Sequence, residues 1–202
     1  YRENDRIITL LTKDSGKLEI SIRGARKPNS PLLSASELFT CGEYVIAKGK
    51  GYETLNSFSL IDNFYKLRLD WDLFSIASSM LVCANTAATA SEDNYKLYML
   101  LKRSLERLNS NENSKEAVLS AFYIHFSNIE GFKPRLKHCT MCEKRIEENE
   151  DAYLDIENGG LVCRACAKSA KPSFHLSSEQ INWLNSILKI GIGKTEDIKN
   201  PP

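Results

Sequence analysis

The feature that most constrains this chain is a matched pair of Cys-x-x-Cys turns, Cys139-Thr-Met-Cys142 and Cys163-Arg-Ala-Cys166. Each turn sets two sulfurs on one side of a tight bend, and two such bends about twenty residues apart have the spacing of a zinc site. Facing each other, they place four thiolates at tetrahedral corners, which suits Zn²⁺ with Zn–S bonds of about 2.3 Å. Cys139, Cys142, Cys163 and Cys166 are therefore the expected ligands. The competing reading is four free or disulfide-paired cysteines. A redox Cys-x-x-Cys needs one pair beside a βαβ unit, not two matched pairs. Between the turns, Ala152 to Ile156, Asn158-Gly-Gly160 and Leu161-Val162 read as a short hairpin, the glycines supplying the φ > 0 positions of a tight turn. Four sulfurs fill the shell and leave no position for water or substrate. The one expected zinc is structural, folding a knuckle with almost no core of its own.

The remaining composition is that of an ordinary globular protein. The 202 residues carry a formal net charge of +1, so no global field announces nucleic acid or membrane, and any basic surface must be local. No run of eighteen apolar residues or signal-peptide pattern is present. Four metal-spaced cysteines and two isolated ones, Cys41 and Cys83, fit a reducing cytosol, with the isolated pair expected as small buried hydrophobes. The chain begins at Tyr1 without Met, which suggests that its true N-terminus lies upstream.

In chain order, residues 1 to about 64 read as β-structure. Ile7 to Leu11 is apolar, Lys13 to Gly16 is a turn, and Leu18 to Ile22 alternates strictly, as a half-buried strand does. A basic loop, Arg23 to Ser30, follows; Leu38 to Ala47 is expected to give a strand pair and Thr54 to Phe64 another strand. Short strands separated by glycine turns suggest a small OB-like β-barrel. From Trp71 the apolar period becomes helical. Helices are expected from Trp71 towards Ala90, from Tyr95 to Leu108 after a cap in Ser91–Asn94, and from Ser114 to a stop at Gly131. A last helix starts at Leu176-Ser-Ser-Glu179 and packs back on the others. The fold class is thus multidomain α+β: an OB-like barrel (1–68), an α-helical bundle (69–137 with 172–192), an inserted four-cysteine zinc knuckle (138–171) and a loose polar tail (193–202).

Other chemistry is sparse. Residues 1–51 hold nine Lys/Arg against six Asp/Glu, and Lys17, Arg23, Arg26, Lys27, Lys48 and Lys50 fall near turns or strand ends. Gathered on one barrel face they would track a phosphate backbone; scattered, they are solvated charge. The aromatics Tyr1, Phe39, Tyr44, Tyr52, Phe58 and Phe64 lie mostly in apolar alternation, which assigns them to core rather than to base stacking. Gly193-Lys-Thr195 is no phosphate loop, because Leu188 stands where the motif needs glycine. His125 is expected as a buried or interfacial ring, and His138 as a neighbour of the knuckle or a competing ligand. No grouping of nucleophile, acid and base emerges, so no enzyme is expected.

Three stretches carry a family resemblance. Glu3-Asn-Asp-Arg-Ile-Ile-Thr-Leu-Leu-Thr-Lys-Asp-Ser-Gly16, the loop Gly24-Ala-Arg-Lys-Pro-Asn-Ser30, and Gly131-Phe-Lys-Pro-Arg-Leu136 leading into Cys139-x-x-Cys142 resemble, in family order, the opening segment, basic loop and knuckle junction of the bacterial RecO family of recombination mediators. Gly160-Leu-Val-Cys163 closes the knuckle as in that family. The resemblance implies a first barrel strand upstream of Tyr1. It also implies a cytoplasmic, nucleoid-associated protein that binds single- and double-stranded DNA, anneals complementary strands and, with RecR, helps load RecA onto single strands coated by single-strand-binding protein. By position it places DNA contacts at Arg23, Arg26 and Lys27, with Lys17 and Lys48 behind them. No motif marks the contacts for RecR or for the acidic tail of single-strand-binding protein; the helix carrying Lys102 and Arg103 is one guess for the tail. Rival readings are a scaffold that docks repair proteins without touching DNA, and a nuclease with an accessory zinc ribbon.

Overall fold

The computed structural model describes residues 3–48, 53–90, 94–110, 114–170, 174–190 and 200–202. The chain divides into two compact units, Tyr1–Ser110 and Asn111–Pro202. That division falls inside the 69–137 segment expected as part of one bundle.

The first unit is built on a four-stranded sheet. β1 (Arg6–Leu11) and β2 (Lys17–Ile22) form an antiparallel hairpin in unbroken register from Arg6↔Ile22 to Leu11↔Lys17. β3 (Cys41–Ala47) and β4 (Glu53–Asp62) are antiparallel, and β4 lies parallel to β2, giving the order β1-β2-β4-β3. The alternation of β2 has a direct consequence: Ile20 and Ile22 are fully buried and, with Ala25, Ala35 and Leu55, form the core under the sheet. The expected closed barrel is not present. Closure needs a ladder between the outermost strands. Among the described residues β1 pairs only with β2, and β3 only with β4. The gap between these edges is a cleft of about 1370 Å³, lined also by the two helices that follow. The expected strand pair over Leu38–Ala47 is a single strand. The chain makes its turn earlier, at Phe39, whose φ of 64° is left-handed and whose buried ring meets Phe74 edge-on at 5.5 Å.

α1 (Trp71–Ala87) opens on Asp70, whose carboxylate accepts the Leu73 N–H. It packs on α2 (Tyr95–Ser110), whose Leu97, Leu100, Leu101, Leu105 and Leu108 are buried at helical spacing. The hairpin is tied to the end of α1. Gly16 bridges Ala90, the Lys17 N–H donates to Thr89 O at 3.0 Å, and Lys17 Nζ donates to Asn85 O at 2.8 Å. That ammonium satisfies one of the carbonyls a helix C-terminus leaves unpaired. Cys41 and Cys83 are half-buried instead of buried. The expected cap in 91–93, Lys50, Tyr1, Tyr52 and the 193–199 part of the tail lie outside the described residues.

The second unit pairs α3 (Lys115–Ile129) with α4 (Ser178–Lys189) and carries the knuckle between them. Ser114 caps α3, and Gly131, at φ +85°, ends the turn after it. α4 begins in a capping box: Ser177 accepts the Gln180 N–H while the Gln180 side chain accepts that of Ser177. Ala117, Ala121 and Ile187 seal the α3–α4 contact. β5 (Ala152–Asp155) and β6 (Gly160–Val162) are the expected hairpin, with Gly159 at φ +64°; β7 (Phe174–Leu176) adds a third strand on the other side of β5.

His125, as expected, is buried on α3, and its Nε2 has no hydrogen-bond partner. Burial lowers its pKa from 6.5, so the folded unit holds it neutral. The unfolded chain then binds more protons below pH about 6.5, and stability falls as pH drops through that value towards the depressed folded pKa. Urea unfolding at pH 7.5 and 5.5 tests this: His125→Leu should lose less stability on acidification than the parent. Equal losses in the two proteins would contradict it.

Candidate metal centre and nucleic-acid interface

The knuckle is assembled by backbone before any side chain acts. The Cys139 N–H donates to Lys144 O at 2.9 Å and the Glu143 N–H to Cys139 O at 3.0 Å, closing the first Cys-x-x-Cys bend with Glu143 left-handed at φ 58°. The second bend is fixed by Ala167 N–H to Cys163 O and Ala170 N–H to Cys166 O, both 2.9 Å. The Thr140 N–H reaches Leu161 O at 2.7 Å, docking one bend on the hairpin that carries the other.

The four sulfurs of Cys139, Cys142, Cys163 and Cys166 all lie within 4.8 Å of one another. Cys142 Sγ and Cys163 Sγ are 3.9 Å apart, against about 3.8 Å for the edge of a tetrahedron with 2.3 Å metal–sulfur bonds. That separation is far too long for a disulfide, whose S–S bond is about 2.05 Å, and all four are free thiols. Burial alone would raise the Cys139 thiol, but backbone N–H groups of Cys142, Cys163 and Met141 outweigh it and bring the pKa down to about 6. Cys166 moves the opposite way, to about 12, through hydrogen bonding with the sulfurs of Cys142 and Cys163. One thiolate forms readily while a neighbour keeps its proton; a divalent cation is what lets all four ionise together. The donor set therefore fits a structural metal ion. His138 is exposed, sits in a backbone bridge with Arg145, and is not part of the cluster.

The hairpin also holds the segment before it. The Arg135 N–H donates to Gly159 O at 3.0 Å and the Leu161 N–H to Arg135 O at 2.9 Å. A Cβ on Gly160 would fall 2.6 Å from that Arg135 oxygen and 2.8 Å from Thr140 Cγ2. Only glycine lets the two backbones approach this closely.

The basic loop of the first unit is an ordered turn. The Gly24 N–H donates to Asp5 Oδ1 at 2.8 Å, the Arg26 N–H to Asn4 O at 3.0 Å and the Lys27 N–H to Gly24 O at 3.1 Å. Ala25 plugs the core, so Arg23, Arg26 and Lys27 are all turned to solvent. Lys17 stands at the opposite end of β2, roughly 20 Å along the strand at about 3.3 Å per residue, with its ammonium bound to α1. Lys48 is exposed just past Ala47; the shared partner Thr54 sets it level with the middle of β2, about two strand spacings away, or roughly 10 Å. The loop residues are thus together, and Lys17 and Lys48 are not with them. Phe39 and Phe64 are buried, and Tyr44 and Phe58 pack on the core, as their alternation implied. Lys102 and Arg103 on α2 share one carboxylate, Glu106, at 3.0 and 3.5 Å. The cleft beside the open sheet edges is electrically balanced: its ten charged side chains are five cations and five carboxylates.

Two family models match the chain: Recombination protein O N terminal over residues 1–64 and Recombination protein O C terminal over residues 68–202. Among curated proteins, the "DNA repair protein RecO" of Caldanaerobacter subterraneus subsp. tengcongensis is 31% identical over 98% of this chain and 79% of its own length. The proteins of that name from Acetivibrio thermocellus and Desulfitobacterium hafniense are 28% and 32% identical, over 92% and 82% of this chain and 73% and 60% of theirs.

Two outcomes check the metal centre. Purified protein should carry close to one metal ion per chain, and Cys139→Ser should lose it and become protease-sensitive in the knuckle; full metal retention in that variant would overturn the ligand set. Gly160→Ala should cost about 1–3 kcal/mol in denaturant unfolding, the scale of overpacking against backbone that cannot move aside; an unchanged midpoint would show that Arg135 is not held as described.

Proposed function

The chain belongs to the Recombination protein O family, and from that premise we propose that it is a DNA-binding recombination mediator of DNA repair that performs no bond chemistry. The observation that carries this reading is the coverage: an N-terminal and a C-terminal model of one family account for residues 1–64 and 68–202 in order. Its relatives bear the name of a DNA repair protein. Among the described residues no helix is long and apolar enough to cross a membrane.

In this reading the Arg23–Lys27 turn is a phosphate-contacting element, supported by its solvent-facing cations and by a backbone held before any ligand arrives. Lys48 adds a cation across the sheet; Lys17, bound to Asn85, serves structure first. A positive surface lowers the repulsion between two phosphate backbones and raises their local concentration, and base pairing then supplies the free energy of annealing. The knuckle ion, read as one zinc on Cys139, Cys142, Cys163 and Cys166, maintains shape and has no open position for chemistry. RecR, the acidic tail of single-strand-binding protein and RecA are the partners this role calls for, in the bacterial cytoplasm.

The formal charge of +1 and the balanced cleft favour one rival, a scaffold that leaves DNA to its partners. Anisotropy of a labelled single strand against salt separates them. The proposal expects affinity to fall steeply with salt, and Arg23→Ala/Arg26→Ala/Lys27→Ala to weaken binding and flatten the log–log slope by about 2, at roughly 0.7 per phosphate contact on a single strand. A parent protein that does not bind would favour the scaffold; a triple variant with parental affinity and slope would remove the loop from the site.

A further inference from the structure

The second unit holds a groove that neither the metal nor the basic loop explains. One wall is the segment Lys133–His138, leading into the first cysteine bend; the other is the end of α4, with Asn185, Leu188 and Lys189. The space between is about 680 Å³ and open to solvent. Its described charged lining is Lys133, Arg135, Lys137 and Lys189 against one carboxylate, Glu143, with His138 beside them. This is the imbalance that the larger cleft of the first unit lacks.

All four cations are exposed, and none is in an ion pair among the described residues. Nearby Lys144 and Arg145 are paired with Glu150 and Glu147. Lys189 lies in the last turn of α4, where it also offsets the partial negative charge of the helix C-terminus. Like charges held around one groove repel, so a fold that keeps four cations there against one carboxylate leaves an anion site.

Both walls are built. The Arg135 backbone is an extra rung on β6, bonded to Gly159 and Leu161. Leu136 is buried in one cluster with Ile146, Ala152, Leu161 and Ile181, against which Leu184 and Leu188 of α4 pack. Asn185 Nδ2 donates to Leu136 O at 3.2 Å, bridging the walls directly. Arg135 and Lys137 therefore flank the buried Leu136 on a segment whose position the bridge to Gly160 sets. Immediately before Lys133, Phe132 is 78% exposed, an aromatic side chain available for an unpaired base.

We propose that this groove is a second phosphodiester-backbone site, for single-stranded nucleic acid, and that a metal held by the knuckle's four cysteines would serve it by fixing the basic segment Lys133–Lys137. Cations spaced two residues apart along one segment suit a repeating anion, and the adjacent exposed aromatic residue suits a single strand over a duplex. The inference rests on the DNA-binding reading above, at residues more than 100 positions away in the chain from the Arg23–Lys27 turn.

The test uses the full chain, labelled dT oligonucleotide and duplex, and a polyglutamate peptide as an acidic-protein probe. Lys133→Ala/Lys137→Ala/Lys189→Ala should keep its metal and flatten the single-strand salt slope by about 2. Phe132→Ala should weaken single-strand binding several-fold while leaving duplex binding within error. Glu143→Gln, which removes the one opposing carboxylate, should tighten single-strand binding, a gain that misfolding does not produce. A parent that binds, with all three variants at parental affinity and slope, overturns this site and leaves the general DNA-binding reading standing. A parent that does not bind overturns both. Loss of polyglutamate binding with the single-strand slope intact would assign the groove to an acidic protein partner and overturn the proposal.

Discussion

Four sulfurs held within 4.8 Å of one another are the constraint on which the second unit depends. Four thiolates so close would repel one another, and a divalent cation among them would offset that repulsion. The consequence spreads by short covalent and hydrogen-bonded steps. Cys163 directly follows β6, β6 carries the Arg135 rung, and Leu136 enters the cluster against which Leu184 and Leu188 of α4 pack. A knuckle with three short strands has too little apolar area to stand alone. A metal on the four sulfurs would add a cross-link to the small core of Leu136, Ile146, Ala152, Leu161 and Ile181, against which Leu184 and Leu188 of α4 pack.

The first unit solves a different problem. Its sheet leaves β1 and β3 as edges among the described residues, so the hairpin is anchored by another route. Lys17 fastens β2 to the end of α1 with a main-chain and a side-chain bond. That use gives the Lys17 ammonium a structural partner inside the first unit. Arg23, Arg26 and Lys27 differ because Ala25 takes the inward position and Asp5 holds the turn, which leaves the three charges outside.

Much of this was legible in the sequence, for identifiable reasons. The cysteine spacing marked the cluster because Cys-x-x-Cys geometry is local. β2, α2 and α4 followed from strict alternation or from apolar period and caps, signals contained within one element. Asn158-Gly-Gly160 marked the hairpin turn. What escaped depended on distant partners. β7 is three residues long and exists because β5 offers an edge. The left-handed Phe39 shortens β3 for the sake of a ring contact with Phe74. Closure of a barrel is a property of which edges meet, and no periodicity reports it. The clustering of Lys133, Arg135 and Lys137 was visible in the chain, but Lys189, more than fifty residues on, joins them only through the fold.

X-ray absorption at the zinc edge of the purified protein tests the central claim most directly. A zinc ion on Cys139, Cys142, Cys163 and Cys166 should give a single shell of four sulfur neighbours at about 2.3 Å. A shell containing nitrogen or oxygen, or a protein folded in its second unit with no metal bound, would contradict it.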